Sequence, residues 1–226
     1  MGGVSLKLPA LSYVFEQEWL VHRCATKSVL HLGCAGASTV TGGRESSLHA
    51  KILDVARSAC GVELQADSIA AMARIMPESE RNSYIQGDVT DLEATGLEQQ
   101  FDVIVAGSII EHLSNPGLMI EGCARLLKQD GLLLISTPHT WGLLQFLRVA
   151  LRRVEAIDPE HTCWYSIPTL SALTSRYGFQ PVEWATGYGW RTRYRTNRLA
   201  RSAGIAFFER FPHLGGSLLG AFRRCD

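Results

Sequence analysis

The sequence predicts an α/β protein, a mostly parallel sheet with helices on both faces. Short apolar runs such as SVLHLG (Ser28–Gly33), FDVIVA (Phe101–Ala106) and GLLLIS (Gly131–Ser136) read as strands buried on both sides. Segments of helical length separate these runs, as βαβ connections require. The 226 residues suit one such domain with a substantial core.

Taken in order, the first strand is Ser28–Gly33, followed by a helix over Ser47–Ala56 and a second strand, Ala59–Leu64. A helix near Ser68–Met76 stops before Pro77, which cannot easily continue it. Ser83–Gln86 is a short third strand leading into Gly87-Asp88. The fourth strand is Phe101–Ala106. Pro116 suits the first turn of a helix that runs to Leu127 and halts before the turn pair Asp130-Gly131. Gly131–Ser136 is the fifth strand, ending at Pro138. Beyond it the pattern loosens. Leu143–Leu151 is apolar with interspersed Arg, Pro168–Tyr177 is helical up to Gly178, and Phe179–Ala185 and Leu218–Phe222 read as two strands that pair. No helix with a clear apolar face is assured between those two.

Composition narrows the class. Hydrophobic residues make up 46% and charged ones 19%, which fits a globular chain and not a disordered one. No apolar run reaches membrane-spanning length, and the opening MGGVSLKLPALSYVFEQEW lacks a signal-peptide pattern, so a cytoplasmic location is expected. The six cysteines form no C-x-x-C pair; neither a disulfide framework nor a zinc site is expected. Net charge is zero but unevenly spread. Residues 1–140 carry 10 Lys and Arg against 16 Asp and Glu, whereas residues 141–226 carry 12 Arg against 6 acids. That asymmetry suggests an anionic partner for the C-terminal part, or an Arg-solvated helical surface.

The chemistry-bearing residues fall at strand ends. VLHLGCAGAS (Val29–Ser38) places small residues where the chain leaves the first strand, letting backbone approach a ligand. Alone, this loop could equally serve close helix–strand packing. Glu63, at the end of strand two, is placed to accept hydrogen bonds from a ribose. Asp88 after strand three could accept from an adenine amino group, and Ala106-Gly107-Ser108 after strand four could border the ligand from below. Four consecutive strand ends thus point to one crevice at the carboxyl edge of the sheet. A nicotinamide dinucleotide fits poorly, because Gly33, Gly36, Gly42 and Gly43 do not space as G-x-G-x-x-G.

These blocks, with GVEL, GDV, FDVIVAGSIIEHLSNPG and LLKQDGLLLISTP, resemble the class I S-adenosylmethionine-dependent methyltransferases over roughly residues 25–185. EHTCWYSIPTLSALTSRYGF (Glu160–Phe179) resembles the segment before strand six in small-molecule and saccharide methyltransferases. The resemblance implies a Rossmann-like three-layer sandwich with a seven-stranded sheet in order 3-2-1-4-5-7-6, strand seven antiparallel. It implies one domain: an N-terminal helical segment (1–27), a cofactor-binding core (28–138), and a substrate-side lid with C-terminal strands (139–226). It also implies S-adenosylmethionine held by Gly33, Cys34 and Ala35 at the methionine part, Glu63 at the ribose and Leu64 on adenine. Asp88 and Val89 would border the adenine, with Gly107 and Ser108 near the sulfonium. Two departures stand out: His31 where many relatives carry Asp, and Ala35 and Ala37 where they carry glycine. His31 reads as a strand-core histidine with a hydrogen-bond partner.

A hydroxyl acceptor must lose a proton, and His112, His139 and His161 are the candidate bases. The alternative for the Glu111-His112 pair is a structural one, capping or pinning the turn. Trp164 and Tyr165 could wall a substrate pocket. No Asp-rich cluster suggests a metal. SIIE (Ser108–Glu111) and the HTCWYS block favour a small-molecule or saccharide hydroxyl, with Arg residues suited to an anionic one. Trp141–Val154 reads as a lid helix whose apolar face covers the pocket, with a membrane-surface helix as the alternative. Arg191–Arg201, with Tyr188, Trp190 and Tyr194, could contact RNA, but a pI near 7.0 disfavours a general nucleic-acid binder. A catalytically silent binding or assembly module, and an RNA methyltransferase, are the competing functions.

Overall fold

A computed structural model describes residues 5–188 and 198–225. In chain order its strands are β1 (Ser12–Phe15), β2 (Ser28–Leu32), β3 (Ser58–Glu63), β4 (Asn82–Gln86), β5 (Phe101–Gly107), β6 (Leu127–Pro138), β7 (Phe179–Tyr188) and β8 (Ser217–Arg224). They form one sheet in the order β1-β7-β8-β6-β5-β2-β3-β4, with β8 antiparallel to both its neighbours. Leaving β1 aside, this is the expected order of seven strands. All five residues of β2 are buried, as are the central ones of β5, because helices cover both faces. One apolar cluster, including Leu30, Ile104, Leu133, Met119 and Phe222, fills one side. A second, around Leu20, Ile52, Val103 and Leu219, fills the other.

The helices are α1 (Glu16–His22), α2 (Ala37–Ser46), α3 (Leu48–Val55), α4 (Ala66–Ile75), α5 (Pro116–Leu126), α6 (Leu143–Arg152), α7 (Ile167–Ser175) and α8 (Arg198–Arg210). Pro116 opens α5 as expected. Ser166 caps α7 reciprocally with Thr169, and Gly178 follows it at φ +77°.

Five expectations need correction. The segment 1–27 is not simply helical: Ser12–Phe15 pairs in parallel with Ala185–Tyr188, covering the otherwise free edge of β7. Two helices, not one, join β2 to β3. The division between them follows Gly43, whose positive φ interrupts α2. Asp130-Gly131 does not end the helix–strand connection; it forms a bulge inside a longer β6, where pairing with β5 slips between Phe101 and Val103. A helix, α8, does lie between β7 and β8. Finally, α6 does not lay its apolar face on the domain, since none of its residues is buried. The Arg-rich stretch cannot be assessed over residues 189–197, which lie outside the described residues.

His31 sits in the core beside His49, their Nδ1 atoms 3.3 Å apart, and His49 Nε2 lies 2.9 Å from Asn82 Oδ1. The Asn82 amide nitrogen faces the carbonyls of Met76 and Pro77, so its Oδ1 is the acceptor. His49 therefore donates from Nε2 and accepts at Nδ1 from His31. Burial lowers the pKa of both imidazoles, and both are neutral in this chain of bonds. The position that relatives fill with Asp is here part of the packing.

Candidate active site

Register brings the sequence-predicted residues together. Leu32 stands opposite both Val62 and Ala106, and Glu63 opposite Gln86. Gly33, Glu63, Gly87-Asp88 and Gly107-Ser108 consequently emerge along one edge, at the carboxyl ends of β2, β3, β4 and β5. Gly33 has φ +65°, a conformation glycine adopts without penalty, and its N–H donates to the Val62 carbonyl. Ser108, not a glycine, adopts φ +49°; a strained backbone of this kind clusters at functional sites.

Glu63 joins the loop to the second strand. One carboxylate oxygen accepts from the Ala35 N–H at 3.3 Å and the other from the Gln65 N–H at 3.2 Å. A carboxylate has about four acceptor positions, so this anchoring leaves capacity for two vicinal hydroxyls. Leu64 next to it is 60% exposed, an apolar surface at the crevice on which a planar ring could rest. Asp88 is exposed, but its Oδ1 accepts from both the N–H and the hydroxyl of Thr90 and so also shapes the turn.

Two assignments change character. Cys34 is buried, its Sγ filling the space above Gly61, where a Cβ would come within 2.5 Å of it. Val89 belongs to the core. Each can therefore offer a ligand only its main chain.

On the other side of β5 the candidate bases separate. His112 and His161 come together edge to face, ring centroids 4.6 Å apart, with Trp164 edge-on to His161. The Thr162 N–H donates to the Glu111 carbonyl at 2.7 Å, which fixes the 160s segment against the turn over Ile110–His112. His139 does not join them. It is buried, and its Nδ1–H donates to the Gly215 carbonyl at 3.1 Å, fastening the end of β6 to the entry of β8. Tyr165 likewise packs in the core, leaving Trp164 alone of the aromatic pair to face a ligand.

The sequence points to Glu111 only as a member of the Glu111-His112 pair and not as a candidate base. Its side chain is 1% exposed, and burial raises its pKa to about 7. Its Oε2, His161 Nδ1 and the Trp164 indole N–H are buried without a hydrogen-bond partner, and the buried Thr137 hydroxyl lies close enough to the carboxyl to offset part of that rise. Orphaned polar atoms are uncommon in folded proteins, and three in one neighbourhood make this a candidate binding place. Glu16 is also new. Ser136 Oγ donates to it at 2.7 Å, Ser217 and Ser108 lie close, and desolvation raises its pKa in spite of them. It faces Glu111 closely enough to add to that residue's upward shift.

Donor atoms of Glu111, His112 and His161 lie within 4.8 Å of one another, as do those of His112, Asp158 and Glu160. The geometry thus gives no support to the expectation of a site without metal-binding capacity. The shallow depression bounded by Gln100, Leu127, Gln129, Arg224 and Cys225 lies at the opposite edge of the sheet, away from all these groups.

A family profile described as a methyltransferase domain matches residues 19–183. The chain belongs to the class I S-adenosylmethionine-dependent methyltransferases. The chain is 28% identical over 161 residues to a probable S-adenosylmethionine-dependent methyltransferase of Mycolicibacterium smegmatis, covering 71% of this chain and 55% of that one. It is 32% identical over 116 residues to a ubiquinone biosynthesis O-methyltransferase of Glaesserella parasuis, covering 49% and 45%. The chain spans about half the length of these relatives. Among solved structures, the N-methyltransferase NodS of Bradyrhizobium japonicum, in complex with S-adenosyl-L-homocysteine, aligns with TM-score 0.59 at 15% identity over 93% of this chain and 86% of that one. The [4+2]-cyclase SpnF aligns with TM-score 0.60 at 18% identity, over 93% and 80%. At these identities the structural likeness speaks for the fold.

The residues present fit the family's cofactor: a positive-φ glycine at the loop, an anchored acid with spare acceptors, and an exposed Leu beside it. Glu63→Ala should weaken S-adenosylmethionine binding roughly 10- to 100-fold, the loss of a charge-assisted contact of about 1.5–3 kcal/mol, measured by titration calorimetry. An unchanged dissociation constant would put the ribose elsewhere.

Proposed function

We propose that this chain transfers a methyl group from S-adenosylmethionine to a hydroxyl of a small molecule or saccharide. The observation that carries the reading is the set of unpartnered buried groups around Glu111, beside Gly107-Ser108. When bound, the cofactor supplies a methyl on a sulfonium, an electrophile that needs only alignment with its acceptor. A hydroxyl, unlike a free amine, also needs its proton removed. Glu111, with a pKa of about 7, is about half ionised at neutral pH, the condition in which a general base is most useful. Burial and the neighbouring His112 keep His161 neutral, able to accept a proton or a hydrogen bond. The Trp164 N–H and Thr137 hydroxyl would orient the acceptor. Glu16, Ser108, Ser136 and Ser217 offer further acceptors and donors to a polyhydroxylated molecule. The ubiquinone biosynthesis relatives, named as O-methyltransferases, agree with oxygen as the target.

The test is to incubate the protein and methyl-¹³C-labelled cofactor with a cell extract. The methyl carbon shift in the product distinguishes oxygen from nitrogen. An O-methyl product, formed equally well in chelator, is expected. An N-methyl product would overturn the hydroxyl assignment, and chelator-sensitive turnover would make the Glu111–His112–His161 group a cation site. Cofactor binding with no labelled product would favour the silent binding module.

A further inference from the structure

We infer that α6 docks this protein on the surface of an anionic phospholipid bilayer. At 100° per residue, Leu144, Leu147 and Leu151 form one stripe, with Phe146 to one side; Arg148 flanks the stripe beside Leu144, and Arg152 and Gln145 lie beyond it. In a helix packed on a globular domain the apolar stripe would face inward. Here it faces solvent: Leu151 is 77% exposed, Phe146 59% and Leu147 38%. Only Leu143 and Gln145 of the helix are partly buried, the Gln145 side-chain nitrogen being enclosed without a partner. Trp141, immediately before the helix, is exposed as well. The helix is thus exposed on every side, its apolar stripe included.

Charge selects the occupant. Residues 139–154 contain Arg148, Arg152 and Arg153 and no acid, and none of the three arginines pairs with a carboxylate among the described residues. Two copies meeting through this stripe would gather six guanidinium groups with no acid from the helix between them. A layer of phosphate headgroups over an acyl boundary matches both sides of the helix at once: apolar side chains enter the boundary, and flanking arginines meet the phosphates. Ten residues span about 15 Å, enough to lie along a surface and too short to cross one. No helix among the described residues is long and apolar enough to cross a membrane. The helix starts four residues after His139, which bridges to Tyr165, so the docked surface lies beside the segment that carries His161 and Trp164.

The test is vesicle co-sedimentation of the full chain. Partition onto mixed phosphatidylglycerol–phosphatidylcholine vesicles should exceed that onto pure phosphatidylcholine by roughly tenfold or more, and salt should reduce it. Leu147→Asp/Leu151→Asp should cut partition on the order of tenfold without moving the unfolding midpoint, both positions being exposed. Arg148→Gln/Arg152→Gln should remove most of the preference for anionic lipid. Equal sedimentation with both vesicle types, or undiminished binding by the Leu variant, overturns the inference. So does a wild-type dimer in the ultracentrifuge that the Leu variant converts to monomer, because a second copy would then cover the stripe.

Discussion

Glu111→Gln will lower turnover by roughly 10²–10⁴-fold while leaving the dissociation constant of S-adenosylmethionine within about twofold. The substitution keeps the side chain's shape and removes only its capacity to ionise. Burial is the larger cause of the raised pKa, with Glu16 adding to it. As a base the carboxyl works when deprotonated, so wild-type kcat should rise between pH 6 and 8 with an inflection near 7. In the variant that inflection should vanish. An inflection that persists belongs to another group, and equal loss of turnover and cofactor affinity would make Glu111 a scaffold of the turn.

The second expectation concerns the buried imidazole pair. His49→Leu leaves the Nδ1–H of His31 and the Oδ1 of Asn82 without partners in an interior with neither residue accessible to water. Each orphaned group costs about 1–3 kcal/mol, so the variant should lose roughly 2–5 kcal/mol in urea unfolding at pH 7.5. The penalty also depends on pH. His49 has its pKa lowered in the fold from 6.5, so the unfolded wild-type chain gains a proton below that pH which the folded chain refuses. Stability from this residue is complete above pH 6.5 and drains away as pH falls. The leucine variant lacks this effect, and its deficit should shrink by up to about 1.4 kcal/mol at pH 5.5. Taking the difference between the two proteins cancels the opposite contributions of Glu16 and Glu111. A deficit that stays constant with pH would mean His49 is not held neutral.

Much of the fold was readable because burial on both faces leaves uninterrupted apolar runs. SVLHL and FDVIVAG are strands for that reason alone, and their shared register makes four loop ends one crevice. Strand β1 was not readable. SYVF is only partly buried and becomes a strand through pairing with Ala185–Tyr188, a partner about 170 residues away. Helix α8 was obscured by a weak apolar face. In the site, Glu63 and the His112–His161 pair could be found because they sit beside strand ends in recognisable blocks. His139 looked equivalent, and only the approach of Gly215 from β8 commits its proton elsewhere. Glu111 had a visible signal in the E-H pair, but its burial, which raises its pKa, is tertiary. Nothing local marks Glu16, whose importance comes from where β1 delivers it.

That delivery has a consequence for how the candidate site is assembled. Phe15 ends the edge strand and Glu16 begins the next helix, so zipping four residues along β7 and seating a carboxyl against Ser136 are a single event. Fraying of that outer hem would leave the seven inner strands paired while withdrawing the acid from Ser136. Under the proposed function, an acceptor that gripped Glu16 would therefore tighten the margin of the sheet.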